Sequence, residues 1–96
     1  MRVLVDSNIT VKNIFEPPVE LNFKEDRATT LKDVLLEIGK QCSVVQLVRD
    51  GGLGEDVRNI FLNGTDYFSL PNRLATLLNE GDKVEIEIYM EPLGGG

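Results

Sequence analysis

The segment that most restricts the fold is the last strand-like stretch and the residues that follow it. Between positions 84 and 89 apolar side chains alternate with polar ones, and the chain then reads Glu-Pro-Leu-Gly-Gly-Gly over 91–96. Alternation of period two predicts a β-strand with one face on the core and the other in water. Glycine has no side chain to pack, so three in succession add nothing to a core. We therefore expect a folded domain over 1–90 and a flexible tail over 91–96.

The clearest helix begins after Thr30, which forms a capping-box pattern with Asp33 three residues later. The apolar residues that follow share one face at helical spacing: Leu31, Val34, Leu35, Ile38 and Cys42. This amphipathic pattern predicts a helix that covers one face of a sheet. Cys42, at a helical core position, is expected to act as a small buried hydrophobe.

Three further segments have strand patterns. Residues 2–5 form a first candidate, which is expected to break at 6–8, and residues 19–24 alternate in period two. Residues 57–62 form another candidate, followed by Asn63-Gly64, a strong hairpin signal. The apolar residues within 44–48 fit either a longer helix or a separate element. Phe23 and Phe61 lie in apolar patterns and are expected to pack inside.

Charge and composition restrict the class of partner. The net charge is −6 over 96 residues, and nucleic-acid binding requires a basic surface, so no nucleic-acid partner is expected. A basic protein partner suits this charge better. No apolar run approaches the roughly 20 residues of a membrane span, and residues 1–6 do not resemble a signal peptide. We therefore expect a cytoplasmic protein with no membrane partner.

The inventory of reactive residues argues against an independent enzyme. The chain has no histidine, the commonest general base and transition-metal ligand. Its single cysteine, Cys42, lacks the companions that a metal site needs. No nucleophile with an adjacent base is visible, so the sequence predicts neither catalytic machinery nor a metal centre.

The order of elements is strand, strand, helix, strand, hairpin, strand, which is the order of a ubiquitin-like β-grasp domain. Several segments resemble the sulfur-carrier family that includes the small subunit of molybdopterin synthase and the thiamine-pathway sulfur carrier. The matching segments are the helix start at 28–35, the loop and Asn-Gly strand at 50–53 and 57–64, the Gly-Asp approach to the final strand at 77–84, and the Pro-Leu-Gly-Gly-Gly ending at 92–96. The resemblance implies an α+β fold with a mixed sheet of four to five strands and one main helix on one face.

The same resemblance implies a carrier that acts only with partner enzymes. An adenylyltransferase related to ubiquitin-activating enzymes would use ATP to adenylate the Gly96 carboxylate. Sulfur from a persulfide donor would then replace AMP, and the resulting thiocarboxylate would donate sulfur in cofactor biosynthesis. Molybdopterin is the favoured product, with thiamine or transfer-RNA thiolation as alternatives. The chain itself would bind no cofactor, and a molybdopterin synthase catalytic subunit is a further expected partner.

The site implied by the resemblance is the tail and the residue that precedes it. Gly94 and Gly95 are expected to thread into a narrow channel, because only thin residues pass there. Pro92, Leu93 and Tyr89 are expected to dock on the partner.

The sequence is also compatible with two other functions. The chain could be a protein modifier whose Gly96 forms an isopeptide bond with lysines, or a β-grasp interaction module whose tail is inert. The scattered acids form either a solvated surface or a patch that faces a partner: Glu25, Asp26, Glu55, Asp56, Glu80, Glu85 and Glu87.

Overall fold

A computed structural model describes residues 1–89. Its elements are β1 Arg2–Ser7, β2 Val19–Asn22, α1 Leu31–Gln41, β3 Val48–Arg49, β4 Gly52–Leu53, β5 Val57–Leu62, β6 Thr65–Asp66 and β7 Lys83–Ile88. Two 3₁₀ turns, Tyr67–Ser69 and Arg73–Ala75, connect β6 to β7. One main helix is thus combined with a set of short strands, as the sequence predicts.

The strands form a mixed sheet in the order β2-β1-β7-β5-β6. β1 and β7 run parallel, while the other pairs in this sheet are antiparallel. β3 and β4 form a separate two-stranded hairpin. Because β7 is the middle strand of five, the chain leaves the sheet from its centre, with a strand on either side.

Helix α1 packs on one face of this sheet. Its capping box is present: the Asp33 backbone N–H donates to Thr30 Oγ1 at 3.3 Å, and the Thr30 N–H donates to Asp33 Oδ2 at 2.9 Å. The buried helix residues contribute to a single core with side chains of β1, β5 and β7: Leu31, Val34, Leu35, Ile38, Val3, Val5, Ile60, Val84 and Ile86. Cys42, which follows the helix, is fully buried, in agreement with its predicted role.

The Asn-Gly hairpin is also present. Asn63 and Gly64 have φ values of 49° and 86°, the left-handed backbone that a two-residue hairpin of this type requires. The returning strand β6 has only two residues before the chain enters the first 3₁₀ turn. That turn buries Tyr67 and exposes Phe68.

One detail of the strands differs from the sequence-based expectation, and one alternative that the sequence left open is decided. β1 does not break at position 6 but continues through Ser7, because it pairs with β7 as far as Ile86. The segment at 44–48 does not lengthen the helix, since Val48 begins β3. For β1 a partner strand distant in the sequence decides the local structure, whereas β3 pairs with β4 only a few residues later.

The predicted interior position of Phe61 is wrong. Ile60 and Leu62 point into the core, so Phe61 between them faces the opposite side of the sheet, where it is half-buried. Phe23 is half-buried and packs against the core. The sheet therefore has a second face, which no helix among residues 1–89 covers and which carries the Phe61 side chain. We call it the outer face.

Candidate functional site

The candidate site is the base of the C-terminal segment, where β7 ends. Tyr89 directly follows β7 and is 58% exposed, as its place opposite the core stripe predicts. Its backbone N–H donates to the carbonyl oxygen of Asp56 at 2.8 Å. The other predicted site residues, Pro92, Leu93, Gly94, Gly95 and Gly96, lie outside the described residues, as does the predicted boundary at position 90.

Asn8 holds the end of β7 from the other side. Its side-chain Nδ2–H donates to the carbonyl oxygen of Ile88 at 2.9 Å, and the Ile88 N–H donates to Asn8 Oδ1 at 2.8 Å. The preceding residue continues the pattern, since the Ser7 hydroxyl donates to the Ile86 carbonyl at 2.7 Å. Side chains at the end of β1 thus take over the hydrogen bonding that the backbone provides earlier in the ladder.

Asp56 connects the base of the tail to the loop before β3. Its carbonyl oxygen receives the Tyr89 N–H, and its carboxylate accepts the Gln46 N–H at 2.5 Å. The same loop is also hydrogen-bonded to Gly54, whose N–H donates to the Leu47 carbonyl at 2.8 Å. The last described residues of the chain are therefore hydrogen-bonded on both sides.

Acidic side chains surround Phe61 on the outer face. Across the strands Asp6 lies opposite Glu85, Glu85 lies opposite Phe61, and Phe61 lies opposite Asp66. Glu87 follows on β7, next to the base of the tail. Lys83 Nζ approaches Glu85 Oε1 at 4.0 Å from the end of the strand farther from the tail. The part of the outer face nearest the tail thus carries several carboxylates around one aromatic ring.

A shallow cavity of 240 Å³ lies within this acidic surface. It is lined by Asp6, Ser7, Asn8, Phe61, Glu85, Ile86 and Glu87. The cavity therefore adjoins the Asn8 side chain that holds the base of the tail.

A larger cavity, of 560 Å³, lies elsewhere, between α1 and residues 45–48. Its rim carries two ion pairs, Arg27 with Asp33 at 3.7 Å and Lys40 with Glu37 at 3.8 Å. The opposite charges balance, so this cavity has no charge preference comparable to that of the outer face.

Residues 1–89 contain no group of three or more side chains suited to binding a metal ion. They also contain no helix with the length and apolarity needed to cross a membrane.

The sequence predicts a docking role for Tyr89, which stays a prediction, but the contacts of Asn8 and Asp56 and the outward position of Phe61 were not among the predictions. A signal for Phe61 was present, because strict alternation between Ile60 and Leu62 already places it on the opposite face. Asn8 and Asp56 carry no comparable local signal, since their partners lie at the other end of the chain or in another loop.

Three solved structures have a similar architecture. The HVO 2177 protein of Haloferax volcanii superposes with a TM-score of 0.70 at 24% identity, over 100% of this chain and 87% of that one. SAMP1 of the same organism gives 0.65 at 16% identity over the whole of both chains. Small archaeal modifier protein 1 (SAMP1) of Methanosarcina acetivorans gives 0.67 at 23% identity, over 99% of this chain and 96% of that one.

The fold is a ubiquitin-like β-grasp. The five-stranded mixed sheet with one helix agrees with the fold of these structural neighbours. No family model and no curated protein matches the sequence. At 16–24% identity the neighbours share the fold with this β-grasp chain, and membership of the sulfur-carrier family stays a prediction.

Proposed function

We propose that this β-grasp chain is a carrier whose Gly96 carboxylate is activated by a separate adenylyltransferase. The observation that supports this most is the hydrogen-bonded base of the tail. Ile88 and Tyr89 are held by Asn8 and Asp56, beside the outer face, and the Pro-Leu-Gly-Gly-Gly sequence begins three positions after Tyr89. Because these two residues are held to the domain, the glycine-rich segment would be offered to a partner enzyme from a fixed position at the end of β7.

The chemistry of activation needs no side chain of the carrier. The Gly96 carboxylate attacks the α-phosphate of ATP and releases pyrophosphate, which leaves an acyl adenylate. A persulfide sulfur then attacks the acyl carbon and expels AMP, forming an acyl disulfide with the donor. A thiol reductant cleaves that disulfide, itself becoming oxidised, and the thiocarboxylate of Gly96 remains. We place sulfur transfer to a molybdopterin precursor first among the possible uses, with a molybdopterin synthase catalytic subunit as the receiving partner.

The length of the tail suits a buried active site in the partner. Six residues over 91–96, fully extended, span roughly 20 Å at about 3.3–3.6 Å per residue. Ordering a residue costs on the order of 1–2 kcal/mol, so contacts made by the folded domain must offset the ordering of the tail. The complex with the activating enzyme is therefore expected to be transient.

The outer face supplies a candidate for those domain contacts. Asp6, Glu85, Glu87 and Asp66 share the outer face with Phe61, and Glu87 is the one nearest the base of the tail. Complementary charge raises association rates and disfavours wrong partners more than it adds affinity. We expect the activating enzyme to present a basic surface around an apolar contact for Phe61.

A protein modifier is the second candidate. Two of the structural neighbours carry the name small archaeal modifier protein 1 or its abbreviation. Both candidates share the first step, since an adenylated Gly96 can be attacked by sulfur or, after transfer, by a lysine amine. They differ only in the nucleophile that receives the acyl group.

The test is the intact mass of the C-terminal peptide after incubation with ATP, a persulfide donor, a thiol reductant and a panel of carrier-activating adenylyltransferases. Replacement of one oxygen by sulfur at Gly96 would support the carrier, and the enzyme that succeeds would indicate the pathway. Lysine-linked conjugates would support the modifier instead. A chain that lacks residues 95–96 is the control. If the Gly96 carboxylate stays unmodified with every activating enzyme, both candidates fail, and the interaction module with an inert tail is the function that remains.

A further inference from the structure

We infer that Asn8 is a positioning residue that sets where the tail begins and thereby how readily Gly96 is presented for activation. This assignment rests on the activation of Gly96 proposed above. Asn8 lies 80 residues from Ile88 in the sequence, yet it makes two hydrogen bonds to that residue's backbone. No reacting group is assigned to it, because it acts through the chain that it holds.

The Asn8 side chain replaces a strand residue. β1 ends at Ser7, so the backbone ladder between β1 and β7 stops before Ile88. The carboxamide then supplies one donor and one acceptor to the Ile88 carbonyl and N–H. Among uncharged side chains only a carboxamide presents both groups side by side, so Ala or Ser at position 8 cannot reproduce this pairing.

The pairing matters because Ile88 is buried. The residue is only 4% exposed with Asn8 in place, and both hydrogen bonds to Asn8 are partly buried. Without the Asn8 carboxamide the N–H and carbonyl of Ile88 would lose their partners, and unpaired buried peptide groups are rare in folded proteins. Fraying of the end of β7 would allow them to reach water. Tyr89 would then depend on its single hydrogen bond to Asp56.

Fraying would change the behaviour of the tail without changing its chemistry. Two residues released from β7 add roughly 7 Å of slack, at about 3.3–3.6 Å per residue. Those residues must be ordered again when the tail enters the partner, which lowers the effective concentration of the Gly96 carboxylate there. Because the bound complex is the same, KM should rise while kcat stays constant.

Asn63 provides a matched control at the opposite end of the same strand. Its Nδ2–H donates to Asp82 Oδ1 at 3.0 Å, and its Oδ1 accepts the Lys83 N–H at 2.9 Å. It is therefore the same residue type, with two hydrogen bonds, at the beginning of β7. Since Asn63 has a φ of 49°, the control substitution is Asn63→Gly, which tolerates that backbone.

The experiment compares Asn8→Ala, Asn8→Gln and Asn63→Gly in the full chain. Three quantities are measured: melting temperature, amide hydrogen exchange at Ile88 and Tyr89, and the KM and kcat of adenylation. Asn8→Ala and Asn63→Gly should both lower the melting temperature. Only Asn8→Ala should speed exchange at Ile88 and Tyr89 and raise KM, by about 30-fold or more if both released residues must be re-ordered. Asn8→Gln, which keeps the carboxamide, should have a KM between those of the unaltered chain and Asn8→Ala.

An equal rise in KM for Asn8→Ala and Asn63→Gly would reduce Asn8 to a structural residue and overturn the inference. Unchanged exchange at Ile88 and Tyr89 in Asn8→Ala would overturn it as well. If the unaltered chain is adenylated by no enzyme, the proposed function fails, and the positioning role fails with it. An active unaltered chain with an unshifted KM in Asn8→Ala would contradict the positioning role alone.

Discussion

Asp6 on β1 lies directly opposite Glu85 on β7, as its partner in the parallel ladder. Like charges in such cross-strand positions destabilise a sheet by roughly 0.2–1 kcal/mol. Both side chains are on the outer face, close to the end of β7 from which the tail departs. The sheet thus retains a pair of like charges beside the candidate site.

The first prediction is that Asp6→Asn raises the free energy of unfolding by about 0.5 kcal/mol at low salt, because it removes the repulsion. Asparagine keeps the side-chain oxygen that accepts the Ser7 N–H at 2.8 Å. Urea denaturation at low and high ionic strength measures the gain, which should shrink as salt screens the pair. Glu20→Gln is the control, since Glu20 lies opposite Leu4 and not opposite a carboxylate.

The same substitution should act on the two properties in opposite directions. If a basic partner docks on the outer face, Asp6→Asn should raise the KM of adenylation while it stabilises the fold, and Glu20→Gln should change KM less. A lower KM for Asp6→Asn would contradict the docking proposal. An equal stability gain in both variants would attribute the gain to net charge and not to the pair.

The second prediction compares two glycines. An alanine Cβ at position 54 would overlap the backbone carbonyl of Gln46 and lie 2.9 Å from the Leu47 carbonyl carbon. Gly54→Ala should therefore destabilise the protein, by about 1–3 kcal/mol or more. Gly39 lies within α1 with open space around it, so Gly39→Ala should stabilise by about 0.5–1 kcal/mol. Thermal denaturation of both variants tests the contrast, and shifts of the same sign would contradict it.

The third prediction concerns the capping box of α1. Thr30→Ala removes the hydroxyl that accepts the Asp33 N–H and should cost about 1 kcal/mol of stability. Thr30→Ser keeps the hydroxyl and should remain close to the unaltered chain. Chemical denaturation with helix content as the probe measures both. Equal losses in the two variants would mean that the methyl group, and not the cap, carries the effect.

The fourth prediction tests threading of the tail. Gly95→Phe should abolish adenylation, and Gly95→Ala should reduce it, because the partner's channel is expected to admit only thin residues. Neither change should lower the melting temperature, since residue 95 is predicted to lie outside the folded domain. Glu91→Phe, which adds the same bulk before the glycines, is the control and should retain more activity. Full activity of Gly95→Phe would end the threading argument.

Much of the fold was predictable because its signals are local. The helix after Thr30, the Asn63-Gly64 turn and the alternation of β7 each depend on residues within a few positions of one another. Hydrogen bonding and backbone conformation at that range follow from residue type. The run of glycines at 94–96 is likewise read directly from the sequence.

Other features depended on contacts between distant residues. β1 extends through Ser7 because β7 lies beside it, and Asn8 serves the end of β7 from 80 residues away.

The division between the two sources of information has a physical basis. Residue type by itself determined where the helix, the turns and the alternating strand lie, and that the chain ends in glycines. Only the tertiary structure decided which strands are neighbours, and therefore that Asp6, Glu85 and Phe61 share one face beside the base of the tail. A polar side chain far from its partner in the sequence finds its hydrogen bond only when packing of the core brings the two segments together.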